Sequence, residues 1–188
     1  MYNLKIIIAS TRPGRKGPAI ASWIYEVCKN SNFFNVELLD LETINLPFLD
    51  EPKHPGLKEY SHEHTFKWSE IINSADAFII VTCEYNHGYP APLKNALDYL
   101  FQEWNYKPVG FVSYGGIAGG TRAVQQLKQV VTAQKMMPVT ESVNIPFFTK
   151  YIDEHNKFNA DDKLLKSANT LIDELLKWTE ALSQIRKK

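Results

Sequence analysis

Short apolar runs, each ending in a polar loop that leads into helical periodicity, recur along this chain and restrict it to an alternating α/β architecture. Residues 4–9 are apolar apart from Lys5 and pass straight into Ser10-Thr11-Arg12-Pro13-Gly14-Arg15-Lys16-Gly17. Such a compact run reads as a strand buried on both faces. Ile20, Trp23, Ile24, Val27 and Cys28 then follow at helical spacing, a single stripe that faces a sheet. The alternation continues with strands at 36–41, 77–82, 108–113 and 139–143. Helices are expected at 66–72, 92–101, 120–134 and 161–185, the second admitting Pro92 in its first turn. Between 41 and 66 lies a longer connection broken by Pro47, Pro52, Pro55 and Gly56. Five strands joined by helical crossovers imply a parallel, doubly wound sheet with helices on both faces. No repeat or linker interrupts the 188 residues, which suit one domain over 1–188.

Lys plus Arg and Asp plus Glu number 21 each, so the formal net charge is zero. That balance argues against a general nucleic-acid or membrane-surface binder and makes self-association easier. Cys28 and Cys83 are the only cysteines, too few for a disulfide framework or a metal-ligand spacing. The first apolar run is too short for a signal-peptide core, and no later stretch is apolar enough to span a bilayer. A soluble, cytoplasmic protein is the expectation.

Three loops carry the candidate chemistry, at the carboxyl ends of strands where open α/β sheets bind ligands. The first offers Ser10, Thr11, Arg12, Arg15 and Lys16 ahead of a helix, with Gly17 and Pro18 opening that helix. Backbone N–H groups at a helix N-terminus attract anions, and an Arg fork matches phosphate oxygens. The loop is neither G-x-x-x-x-G-K-[ST], since Pro18 follows Gly17, nor G-x-G-x-x-G. A solvated basic turn is the plain alternative. In the second loop, Cys83 to Pro90, Gly88 and Pro90 supply turn geometry, while Asn86 offers donor and acceptor to a heterocycle edge. Tyr85 and His87 can flank a planar ring, or be a core cap and a surface histidine. A C-x-x-x-x-x-R phosphatase reading of Cys83 fails, because Tyr89 is the sixth residue on. In the third loop, Ser113-Tyr114-Gly115-Gly116 lets backbone approach a ring unobstructed. Together the loops suit a phosphate-bearing flavin.

Other residues read more simply. His54, His62 and His64 lack fixed ligand spacing, so solvated or packing roles are preferred over a metal site. Trp68, Trp104 and Trp178 read as core or interface residues. Arg186-Lys187-Lys188 reads as a solvated helix end.

The segments Ser-Thr-Arg-Pro-Gly-Arg, Glu-Tyr-Asn-His-Gly-Tyr-Pro-Ala-Pro-Leu-Lys-Asn-Ala-Leu-Asp and Ser-Tyr-Gly-Gly resemble the NAD(P)H-dependent FMN reductase family, over roughly residues 5–143. The resemblance implies a flavodoxin-like fold and bound FMN, reduced by NADPH or NADH in a ping-pong cycle. Acceptors in the family include quinones, free flavin and azo compounds. Ser10, Arg12, Gly17 and Pro18 would surround the FMN phosphate. Cys83 adjoins the segment Glu84, Tyr85, Asn86, His87 and Gly88, which would line the ring and offer backbone donors to its pyrimidine edge. Ser113, Tyr114, Gly115 and Gly116 would bound its other side. No catalytic side chain is required, because the cofactor carries the hydride. The family usually has proline where this chain has Cys83, which frees the backbone there. Members are commonly homodimers or homotetramers. The competing reading is a flavodoxin-like electron carrier or redox-sensing module with a protein partner; neutral charge and Arg12 in the first loop favour the reductase.

Overall fold

A computed structural model describes residues 1–186. Five parallel strands form one sheet in the order β2-β1-β3-β4-β5, where β1 is Tyr2–Ile8, β2 Phe34–Asp40, β3 Ala77–Cys83, β4 Pro108–Gly115 and β5 Met137–Pro146. Although the inner strands are apolar over most of their length, their side chains still alternate between faces. Leu4, Ile6, Ile8, Ile79 and Val81 meet α1 (Gly17–Asn30) and α6 (Asp162–Arg186) on one face. Ile7, Phe78, Ile80 and Phe111 meet the other helices on the opposite face. Each of these side chains is buried, and full burial of an Ile or Phe contributes about 1.5–3 kcal/mol. The crossover helices on the second face are α3 (Glu63–Asn73), α4 (Ala91–Asp98) and α5 (Thr121–Ala133). A short α2, Leu41–Ile44, follows β2 directly, and its single turn of apolar spacing hides in the sequence.

The alternation of elements matches the sequence expectation, with boundaries adjusted by context. Helix α3 begins three residues before the expected 66, and β5 runs beyond 139–143 at both ends because it pairs with β4 along most of its length. Helix α4 stops at Asp98 rather than 101, and Tyr99 takes over: its hydroxyl donates to Asp50 Oδ1 at 2.9 Å and lies 3.1 Å from the Pro47 carbonyl. Trp68 and Trp104 are both core residues, 6.1 Å apart in an edge-to-face pair. His62 and His64 stack on each other and bond the Asp50 region. Arg186 is not a solvated end. Its guanidinium pairs with Asp76 Oδ1 at 2.9 Å and donates to the Tyr106 carbonyl, because α6 runs back to the amino ends of the strands. Lys187 and Lys188 lie outside the described residues.

In this strand order the chain reverses direction across the sheet between β1 and β3. The loops leaving neighbouring strands there diverge to opposite faces and leave a crevice, the general ligand position in doubly wound sheets.

Candidate functional site

The loop after β1 is built by pairing across the sheet. Register sets Asp40 beside Ile8, so the end of β2 delivers a carboxylate directly under the loop. Arg15 takes it in a two-pronged fork, 2.6 Å to Oδ1 and 2.7 Å to Oδ2. The same guanidinium reaches Glu42 at 2.8 Å and the Ser10 carbonyl at 2.7 Å. The hydrogen bond to Asp40 raises the Arg15 pKa above its ordinary value, against the opposing effect of burial. Arg15 is therefore a strut of the loop. Lys16 is likewise engaged, through Asn156 Oδ1. Arg12 has no ion-pair partner among the described residues and lies over the Tyr85 ring at 5.9 Å. Of the three cations in this loop, Arg15 alone is neutralised by carboxylates, Lys16 bonds a neutral amide, and Arg12 has no hydrogen-bond partner among the described residues.

The floor beneath Arg12 is tight. Ser10 is buried, and its hydroxyl accepts from Tyr114 Oη at 3.2 Å. A Cβ on Gly17 would stand 2.5 Å from Ser10 Oγ and 3.0 Å from Tyr114 Oη, so only glycine lets α1 start this close to the strands. Pro18 occupies the first turn of α1. Among the described residues the amides of Thr11, Arg12, Gly14 and Lys16 have no acceptor, which leaves a crescent of donors at the N-terminus of a 14-residue helix.

The second loop folds as a tight reversal. Tyr85 and Gly88 exchange both backbone hydrogen bonds at 2.9 Å, and the two residues between them, Asn86 and His87, have φ of 51° and 71°. These values define a type I′ turn, whose left-handed residues are Asn86 and His87 rather than the glycine at its end. Both side chains are exposed. Glu84 anchors the loop. Its carboxylate accepts from Arg122 Nε at 2.6 Å and from the Arg122 amide at 3.2 Å, tying the loop to the first turn of α5. Burial alone would raise this carboxyl, but Arg122 and the helix amides outweigh it and hold its pKa below the ordinary value.

The third loop follows the same plan. Ser113 is buried and serves as a brace, donating to the Gly119 carbonyl at 2.8 Å with Asn144 Oδ1 3.0 Å away. Gly120 caps α5 at φ 80°, where a Cβ would press within 3.0 Å of the Tyr114 backbone. A Cβ on Gly116 would meet open space, so this residue forms a smooth wall.

Arg12, Gly14, Arg15, Lys16, Cys83, Glu84, Tyr85, Tyr114, Gly115, Gly116 and Phe148 surround one cavity of about 220 Å³. Sites for small molecules usually measure about 300–1,000 Å³, so a ligand seated here keeps part of its surface in the open. Ser10, Gly17 and Ser113 stand behind this lining as supports, and Asn86, His87 and Gly88 form the turn beside it. Phe148, stacked edge-on to Tyr114 at 5.1 Å, and Arg122 carried no motif in the sequence and are seen only through their contacts. Burial raises the Cys83 thiol pKa, against the pull of the Tyr85 and Tyr114 hydroxyls and Arg12, so it stays protonated at neutral pH. Burial and the neighbouring Cys83 push Tyr85 up to about 12. No cluster of three or more His, Cys, Asp or Glu able to hold a metal occurs among the described residues.

A family model described as NADPH-dependent FMN reductase matches residues 3–150. The chain belongs to this family. It is 38% identical over 186 residues to an NAD(P)H-dependent FMN reductase of Schizosaccharomyces pombe, covering 97% of this chain and 84% of that protein. It is 28% identical over 163 residues to an NAD(P)H:quinone oxidoreductase of Solanum tuberosum, covering 84% of this chain and 80% of that one. In fold it is similar to the flavoenzyme NAD(P)H:(acceptor) oxidoreductase FerB of Paracoccus denitrificans, with TM-score 0.79 at 19% identity over 96% of this chain and 98% of that one. Family membership makes the chain an oxidoreductase with FMN as cofactor and NAD(P)H as electron donor.

The residues present suit that cofactor. The unpartnered amides and free Arg12 form an anion cradle at one end of the cleft. The glycine wall and the I′ turn give a flat slot with backbone donors at the other.

Proposed function

We propose that this cleft holds FMN with its phosphate on the Ser10–Lys16 loop and its ring between the Glu84–Gly88 turn and the Ser113–Gly116 loop. The carrying observation is the division of labour in the first loop, where Arg15 is consumed by Asp40 and Arg12 is left free above the cradle of amides. Bound FMN supplies hydride acceptance at N5 and its onward transfer to an electron acceptor. The chain's own groups position and polarise. Arg12 and the α1 amides neutralise a phosphate by charge-assisted hydrogen bonds. The amides of Asn86 and His87, held by the Tyr85–Gly88 bonds, point donors at a heterocycle edge where negative charge develops on reduction, an electrostatic role like that of an oxyanion hole. Cys83 and Tyr114, both neutral, line the slot and exclude water from its floor. The open side of a small cavity leaves room for nicotinamide and acceptor to use one face in turn, which predicts ping-pong kinetics.

The acceptor class this slot suits is a flat conjugated molecule such as a quinone, the substrate for which the Solanum tuberosum relative is named. The working unit in this reading is a homodimer. A groove of about 590 Å³ runs between residues 49–55 and helices α4 and α5, floored by Leu100, Phe101 and Val130, and Phe48 stands 87% exposed near it. The pair Lys94–Asp98 on the groove's rim is self-complementary across a two-fold axis, where each meets its opposite. A cytoplasmic location, where NAD(P)H is supplied, belongs to the same reading; no helix among the described residues is long and apolar enough to cross a membrane.

The test is an absorbance spectrum of the chain after reconstitution with FMN and desalting, then anaerobic addition of NADPH or NADH. Retained yellow flavin that bleaches within seconds is expected. Failure to retain FMN at any concentration refutes the cleft assignment, and retained flavin that neither donor bleaches refutes the reductase reading.

A further inference from the structure

A second cavity, of about 430 Å³, opens beside the phosphate loop along the outward face of α1. Trp23 and Phe158 form its apolar floor, their rings 5.1 Å apart and tilted by 50°. Ser22, Glu26, Asn156 and Lys157 stand on its rim. The opposing wall is a built feature. The Asp153 carboxylate accepts from the amides of His155 and Lys157 at 2.9 Å and from Asn159 Nδ2 at 3.0 Å, and Ile152 pairs with Phe158. That network holds Asn156 at φ 58° with its side chain against Lys16. Lys16 lines the first cavity and bonds the rim of the second, so one lysine joins the two.

The rim is ordered by charge. Lys16 sits at the phosphate-loop end, and Glu26 sits ten residues on, about 15 Å further along the helix axis. Neither Ser22 nor Glu26 has a side-chain partner among the described residues. A ligand that matches this pattern is anionic at one end and carries a flat ring with an exposed N–H donor at the other. Adenine nucleotides do so: phosphate meets Lys16, the base stacks on Trp23, and the exocyclic amine donates to Glu26 while Asn156 Nδ2 serves a ring nitrogen. Guanine also offers N–H donors to a carboxylate, but the redox dinucleotides carry adenine.

We propose that this cavity is an adenylate subsite, taking the adenosine phosphate half of a dinucleotide whose other half lies in the loop cleft. The inference rests on the FMN reading of that cleft. Two dinucleotides have this chemistry, FAD through its phosphate linkage and NAD(P)H through its adenine end.

The experiment measures FMN, FAD and AMP affinity of the flavin-free chain, and NADPH kinetics of the FMN-loaded chain, in wild type, Trp23→Ala, Trp23→Phe and Glu26→Gln. Stacking on an aromatic predicts an effect of about fivefold or more. If FAD is the occupant, it binds at least about fivefold tighter than FMN, and Trp23→Ala erases that margin while FMN affinity holds. If NAD(P)H is the occupant, Trp23→Ala raises KM for NADPH at least about fivefold with kcat unchanged, and AMP competes with NADPH. Trp23→Phe restores most of either effect, and Glu26→Gln reduces it. Unchanged FAD:FMN ratio and unchanged KM in all variants, with FMN bound normally, overturn the subsite alone. If FMN itself does not bind, the cleft reading fails, and equilibrium dialysis with labelled AMP still decides the subsite: retention lost in Trp23→Ala sustains it, and no retention by wild type overturns it.

Discussion

Replacing Arg12 by alanine separates binding from scaffolding. The guanidinium has no carboxylate partner among the described residues, and its one contact is the Tyr85 face at 5.9 Å, worth about 0.5–1 kcal/mol at an exposed site. Folding stability should therefore fall by no more than that. A charge-assisted hydrogen bond to phosphate contributes about 1.5–3 kcal/mol, so FMN affinity should fall by roughly tenfold to 150-fold. Riboflavin, which has the ring and no phosphate, should lose almost nothing. The assay is quenching of flavin fluorescence on titration with the flavin-free chain, repeated for FMN and riboflavin, beside urea melts of both proteins. Equal losses for the two flavins would place Arg12 at the ring, and an FMN Kd within threefold of wild type would remove it from the phosphate site altogether.

Arg15→Ala should behave in the opposite way. It strips a guanidinium with only 12% of its side chain exposed from Asp40, so urea melts should show a loss of about 2–4 kcal/mol, with FMN affinity lost as a consequence; an unaltered midpoint would contradict the strut. His87→Gly places glycine at a φ of 71° and should raise stability by up to about 1 kcal/mol with FMN affinity preserved, since the proposed contact is through the turn's backbone; a large loss of affinity would assign the imidazole a role. Lys107 donates to the carbonyls of Ile72 and Asn73 at the end of α3, and burial drives its pKa down from 10.5 to about 7. Between these values the unfolded chain holds a proton that the folded one has released, so stability rises with pH across that window by up to about 1.4 kcal/mol per unit, whereas below pH 7 the full cost of burying the charge remains. Urea midpoints measured from pH 7 to 10 should show this rise in wild type and not in Lys107→Met, and parallel curves would refute it. Phe48→Asp should convert the proposed dimer to monomer in light scattering; a monomeric wild type would discard the dimer reading.

Much of the architecture was legible because periodicity reports burial. The apolar runs at β1 and β3 are strands with both faces covered. Ile20, Ile24 and Cys28 of α1 face the sheet as their spacing implies, whereas Trp23 and Val27 of the same expected stripe are only partly buried and Trp23 turns outward against Phe158. Helix α2 was not legible, since four residues are too few to show a period. At the site, the three loops announced themselves by composition, yet their internal roles did not. Arg12 and Arg15 look equivalent in the sequence, and what distinguishes them is Asp40, 25 residues beyond Arg15 and brought under the loop by sheet register. Gly88 drew attention as the turn's flexible residue, whereas the left-handed pair is Asn86 and His87, because the Tyr85–Gly88 hydrogen bonds set the turn one residue earlier.

The Glu84–Arg122 tether has a thermodynamic corollary. It fastens the turn after β3 to the first turn of α5, so two walls of the cleft are joined before any ligand arrives. The entropy of arranging those walls is then lost during folding and not during association. Association should accordingly follow a single exponential whose rate grows linearly with flavin concentration, without the plateau that a slow closing step imposes. Cutting the tether with Glu84→Gln would bring that plateau into view, turning a lock that is already cut into one that each key must shape.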